Sequence, residues 1–137
     1  MKRWLILAVA TALPGAALVA AKPPALAQAT PGQWEISGVP GEKAPLVQCI
    51  ADVAALTQFE HRGRSCTRST ISDDGTSTIV QYSCGAAGFG RSEVEVITPR
   101  SLKISTQGIS ESSPFNYVLQ VRRLGDCPAK SPSPPRH

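Results

Sequence analysis

Two cysteines, Cys66 and Cys84, stand on either side of an Asp73-Asp74-Gly75 turn signal, and two more, Cys49 and Cys127, lie outside them. A turn signal flanked by runs of Thr, Ser, Ile and Val reads as a β-hairpin. Whether its cysteines can bond depends on register, because residues directly opposite in an antiparallel pair point to one face and a one-residue slip reverses every side chain. A three-residue loop at 73–75 gives paired numbers summing to 148 and puts Cys66 opposite Tyr82, with Cys84 diagonal on the same face. A sum of 150 puts the two cysteines directly opposite, and an odd sum separates them. Hairpin geometry therefore favours Cys66–Cys84, which leaves Cys49–Cys127. The sequential pairing, Cys49–Cys66 with Cys84–Cys127, stays open.

Disulfides presuppose an oxidising compartment, and the start of the chain agrees. Lys2 and Arg3 precede an apolar run from Trp4 to Ala21, and Ala25-Leu26-Ala27 and Ala27-Gln28-Ala29 both fit the A-x-A cleavage pattern. Residues 1–29 read as a secretory signal peptide cut after Ala27 or Ala29. Pro14-Gly15 and the cleavage sites argue against a membrane anchor, and the absence of a cysteine at either site argues against a lipoprotein. Removal of this leader leaves eleven basic and ten acidic residues, a net +1. The basic character of the precursor belongs mostly to the export signal and gives no support to a nucleic-acid partner.

Roughly 110 residues remain, enough for one modest core. Gln33 to Ser37 alternates, with Trp34 and Ile36 facing in. Gly38 to Pro45 is loop, and Ile50 to Phe59 predicts the one short helix. Cys66 to Ile71 is a polar strand, either at an edge or with its outer face fully wet. Thr76 to Cys84 places Val80, Tyr82 and Cys84 on one face, and Gly85 to Gly90 is a bend. Glu93 to Val96 and Leu102 to Thr106 pair with numbers summing to 198 across a loop at 98–100. Gly108 to Pro114 is loop. Phe115 to Arg123 lines one face with Phe115, Tyr117, Leu119 and Val121. These elements predict a mainly β domain over 30–127, an antiparallel meander sheet or small incomplete barrel of about six strands with one short helix, stapled by disulfides. The Pro/Ser-rich stretch 128–137 reads as a disordered tail.

Pro31-Gly32-Gln33-Trp34-Glu35 after a leader, Gln48-Cys49, the bracketing Cys66 and Cys84, and Gly125-Asp126-Cys127 occur in an order that resembles the bacterial exported family catalogued as domain of unknown function 3617. The resemblance runs from about Pro31 to Cys127 and implies a periplasmic or secreted protein of a Gram-negative bacterium with a cysteine-containing β domain. It carries no activity, so no functional residue transfers. The Pro/Ser tail departs from the commoner pattern.

No catalytic or cofactor motif is present. His61 reads as a solvated loop residue beside Glu60 and Arg62, since neither a nucleophile nor further metal ligands accompany it. The cysteines lie 17, 18 and 43 positions apart, without the close pairs that zinc or thiol–disulfide exchange requires. Gly88-Phe89-Gly90 leads into a strand rather than a helix, which disfavours a phosphate loop. Glu93 and Glu95 read as a wet strand face. Arg62, Arg64 and Arg68 read as solvated charges that protect an edge.

The expectation is a monomeric, non-catalytic binding or interaction domain, with no cofactor and no metal. Its partner would be a small apolar ligand within the curl of the sheet, lined by Trp34, Tyr82, Phe115 and Tyr117, or an envelope component along the edge strand. Core packing is the plain alternative for those four side chains. An enzymatic alternative is a small secreted hydrolase using a serine with His61.

Overall fold

The computed structural model describes residues 22–129 and Gly15. The apolar run read as part of a signal peptide lies outside the described residues, Gly15 apart, and so does the stretch from residue 130 onward read as a disordered tail. Seven strands form one antiparallel sheet: β1 Gly32–Ser37, β2 Leu46–Ile50, β3 Thr67–Asp73, β4 Ser77–Ser83, β5 Gly88–Thr98, β6 Ser101–Ser110 and β7 Ser113–Gly125. Their order is β2-β1-β7-β6-β5-β4-β3. The chain meanders from β3 to β7, and β7 then pairs with β1, so the sheet is open, with β2 and β3 as its edges.

The strand missed by the sequence reading is β2. Leu46 and Gln48 alternate with exposed Val47 and Cys49, but the run is short and lies between a Gly/Pro loop and an apolar stretch that resembles a helix. Its pairing with β1, Gly32↔Ile50 through Ile36↔Leu46, consumes Ile50 and delays the helical segment to Val53–His61. That segment, the short helix expected over 50–59 shifted along the chain, is a 3-10 helix broken at Gln58 (φ −117°, ψ 37°). Val53, Leu56 and Phe59 recur every third residue, and side chains at i and i+3 eclipse in a 3-10 helix, so all three reach the core. Asp52 caps the start by accepting from the Ala54 N–H at 3.0 Å. The Thr57 hydroxyl turns back to the Ala54 carbonyl at 2.7 Å, a bond that competes with regular α-helix.

One face of the sheet is covered. Trp34, Ile36, Val94, Leu102, Ile104, Leu119 and Val121 are buried against Val53, Leu56 and Phe59. A second short 3-10 turn, Pro24–Gln28, adds fully buried Leu26 to this core. The other face is wet, and Gln81, Arg91, Glu93 and Glu95 all stand on it.

Register follows the burial pattern. Val96↔Leu102 and Val94↔Ile104 pair at the sum of 198, and only the loop differs. A bulge at Ile97 lets Thr98 pair with Ser101, leaving Pro99-Arg100 as the turn. In the β3–β4 hairpin, Thr67↔Ser83 to Thr70↔Val80 sum to 150 rather than 148, and a bulge at Ile71 shifts the pairing to Asp73↔Thr78 near the turn. Gly75 holds the expected positive φ of 89°. Asp74 ties the turn by accepting from the Thr76 and Ser77 N–H groups at 2.9 and 2.7 Å.

Two stretches read as loop are strand. Gly85–Ala87 is a brief 3-10 turn and β5 already begins at Gly88. β6 runs on to Ser110 and β7 starts at Ser113, so the expected loop over 108–114 shrinks to Glu111-Ser112. Both of these residues take positive φ, 47° and 69°, as a two-residue hairpin turn of the I′ kind demands, without the usual Asn or Gly to signal it. Pro114 is accommodated because it sits opposite Ile109, one pair beyond the turn, where its missing N–H faces away from β6. On that side β1 pairs only from Gln120 onward.

Two disulfides close the edges. Cys66–Cys84 joins β3 to β4, with Cα atoms 4.2 Å apart, and Cys49–Cys127 joins β2 to the end of β7 across β1, with Cα atoms 5.5 Å apart. The sequential pairing is thereby excluded. Among the described residues no helix is long and apolar enough to cross a membrane.

Candidate functional site

A transverse row of four residues organises one end of the sheet: Tyr82↔Gly90↔Gly108↔Phe115, one from each of β4, β5, β6 and β7. All four lie on the covered side by strand alternation. The two glycines leave the middle of the row empty of side chains, and the outer aromatic rings lean into the space. A Cβ on Gly90 would come 2.5 Å from the Tyr82 hydroxyl oxygen, and one on Gly108 would come 3.0 Å from the Phe115 ring.

His61, at the end of the 3-10 segment, descends onto this row. It is 4% exposed, so the expectation of a solvated loop histidine is corrected. Glu60 and Arg62 do flank it, but the 3-10 turn directs it inward. Its ring meets Tyr82 and Phe115 edge-on, with centroids 5.4 and 5.9 Å away. Nδ1 lies 3.0 Å from the Tyr82 hydroxyl and Nε2 lies 2.9 Å from the Ala87 carbonyl oxygen. That carbonyl can only accept, so Nε2 carries a hydrogen. Gly88 makes the approach possible, since a Cβ there would come 2.9 Å from Nε2. Both ring nitrogens are thus engaged, and neither partner is a serine.

Tyr117 extends the cluster. Its ring lies 5.9 Å from that of Phe115, and its hydroxyl donates to Glu60 Oε2 at 2.7 Å. Burial raises the Tyr117 phenol above its ordinary value, helped by the hydrogen bond to Glu60 and by the carboxylate's charge. Burial and the Glu60 charge push Tyr82 up to about 12. Arg62 lies over the Phe59 ring at 4.5 Å and donates to the Phe59 carbonyl at 3.1 Å. Beside the cluster, Ser92 donates to the Thr57 carbonyl at 2.6 Å and bonds Thr106 at 2.8 Å, pinning the 3-10 segment to β5 and β6. Among the described residues every buried side-chain nitrogen and oxygen has a partner, so no orphaned atom marks a catalytic or ligand contact.

Of the four aromatic residues singled out from sequence, Tyr82, Phe115 and Tyr117 come together. Trp34 does not join them. It is fully buried in the main core, and its indole N–H donates to the Thr30 carbonyl at 3.3 Å. A cavity of about 120 Å³ remains on the covered side, between Lys22, Pro23, Asp52, Thr57, Arg68 and Val80.

An open depression of about 500 Å³ lies on the opposite face, above the glycine pair, adjoining a second of similar volume over β3 and β4, and is floored by Gly90 and Gly108. Phe89, Ile109 and Pro114 form its apolar side, while Gln81, Arg91, Gln107 and Asn116 bring amide and guanidinium groups. Phe89 is 52% exposed. Sequence reasoning missed this face because a bend over 85–90 assigns Phe89 no side of the sheet. Extending the alternation of Arg91, Glu93 and Glu95 back by one step would have placed Phe89 among them.

Comparison with known proteins yields one family. A model described as "Protein of unknown function (DUF3617)" matches residues 29–127. No curated protein and no solved structure matches the chain.

Proposed function

Because the chain belongs to DUF3617, a family of proteins of unknown function, we propose from its own surface that it is an exported envelope protein of a Gram-negative bacterium acting as a non-catalytic binding domain. The observation that carries this reading is the outer groove of about 500 Å³, where an exposed phenylalanine lies among hydrogen-bonding side chains. Its size falls in the range of small-molecule sites, roughly 300–1,000 Å³. The ligand class it fits is a small amphiphile with an apolar body against Phe89, Ile109 and Pro114 and an anionic head toward Arg91. Among the described residues Arg91 has no salt-bridge partner. The two disulfides are consistent with an oxidising compartment.

The edge strand β3 supports a partner protein less well. It is interrupted by a bulge at Ile71 and carries Arg68, both of which discourage strand addition. A titration with decanoate followed by NMR tests the groove. The expected result is saturable shifts at Phe89, Arg91, Gln107 and Ile109 that vanish in Phe89→Ser. Shifts elsewhere, or none, would refute the reading.

A further inference from the structure

The residues between the leader's apolar run and β1 are built into the domain. Ala25 and Leu26 are both 0% exposed and Ala29 is 3% exposed. Leu26 and Ala29 belong to the same core as Trp34, Val53 and Val94. The segment is also bonded to the β3–β4 turn. The Ala25 N–H donates to both carboxylate oxygens of Asp73, at 3.3 and 3.2 Å, and the Gln28 side-chain amide donates to the Gly75 carbonyl. Pro23 and Pro24 stiffen the entry, and Pro24 opens the 3-10 turn.

A cut after Ala27 would remove Ala25 and Leu26, together with the bond to Asp73. A cut after Ala29 would take Gln28 and Ala29 as well. Either leaves a leucine-sized void at the centre of a small core, and such voids are among the most costly single changes a domain can suffer. We propose that the leader is removed upstream of Pro23, and that Pro23–Ala29 is the N-terminal strap of the mature protein, clasping the β3–β4 turn onto the core. Val19-Ala20-Ala21 offers small residues at the required spacing before Lys22. Two of the three alanines in the A-x-A matches at 25–29, Ala25 and Ala29, then owe their small side chains to close packing in the strap, while Ala27 is exposed. The cut position is set by what the fold retains, rather than by the best match to the cleavage pattern.

This inference rests on the export reading, and one experiment separates the two. The full chain, with its own leader, is expressed in a Gram-negative host. The product is recovered from the periplasm and membrane fractions and its N-terminus is determined by intact mass and terminal sequencing. The expected product begins at Lys22. A start at Gln28 or Thr30 overturns the strap while leaving export intact, and an uncleaved chain overturns both. Leu26→Ala supplies a second readout on the processed protein. With the strap present, its melting temperature falls by about 10 °C or more. An unchanged value means that residue 26 is absent, and the inference fails.

Discussion

The Tyr82 hydroxyl lies 3.0 Å from Nδ1 of His61, and that contact joins the sheet to the segment that covers it. Tyr82 and Tyr117 are the only tyrosines in the chain, and both are held in the protonated form by burial and by Glu60. Folding therefore favours the neutral phenols. Their contribution is fully present below the ordinary tyrosine value near 10 and, for Tyr82, is lost as pH rises from there through about 12. Spectrophotometric titration of the folded protein should show no tyrosinate signal near pH 10. The urea-unfolded chain should titrate there, and stability should fall steadily over the interval between. A normal phenolate titration in the native protein would contradict the burial described.

The glycine row gives a mutational test. Gly90→Ala pushes a methyl group against the Tyr82 ring and should cost about 1–3 kcal/mol, as overpacking does. The same substitution in a Tyr82→Leu background should cost clearly less. Chemical denaturation of the four proteins of this cycle measures the coupling. Additive losses would mean that the two residues do not meet.

Trp34 should behave as a core residue and not as a ligand contact. Trp34→Ala is expected to lose about 3–5 kcal/mol, while Phe89→Ser, on the exposed face, should leave stability within about 0.5 kcal/mol. Urea midpoints compare the two directly.

The disulfides should differ in weight. The bond Cys66–Cys84 closes 18 residues and Cys49–Cys127 closes 78. In the chain-entropy account these correspond to about 3 and about 4.5 kcal/mol. The Cys49→Ser/Cys127→Ser pair should therefore unfold at lower denaturant than Cys66→Ser/Cys84→Ser. The opposite order would show that strain or residual structure outweighs loop length.

Much of the sheet was legible because one face is dry. Val94, Val96, Leu102 and Ile104 fix their own register, and the parity of the β3–β4 hairpin already favoured Cys66–Cys84 over the sequential pairing. Legibility failed where backbone geometry is set by something other than alternation. Glu111-Ser112 turn without a glycine, and Gly88, Gly90 and Gly108 look like a loop because they make room for His61, Tyr82 and Phe115. Only the fold brings those rings together, since His61 is 21 residues from Tyr82 in the chain. The 3-10 segment was visible as a short helix, but not its start at Val53, because the apolar Ile50 belongs to β2. The outer groove escaped because its residues come from four strands and no single stretch contains its pattern.

Open sheets usually fray from their outer strands, whose amides exchange first. Here a covalent rivet holds each margin, β3 to β4 by Cys66–Cys84 and β2 to the end of β7 by Cys49–Cys127. With the margins clipped, spontaneous opening should shift to the hairpin tips that no disulfide spans, above all Glu111-Ser112 of β6–β7, held outside its own hairpin by the Glu111 N–H bond to the Ala87 carbonyl and an exposed ion pair with Arg64. In the oxidised protein the fastest sheet amides should lie there, beside the groove, so the part of the molecule with most freedom to adjust borders the surface offered to a ligand.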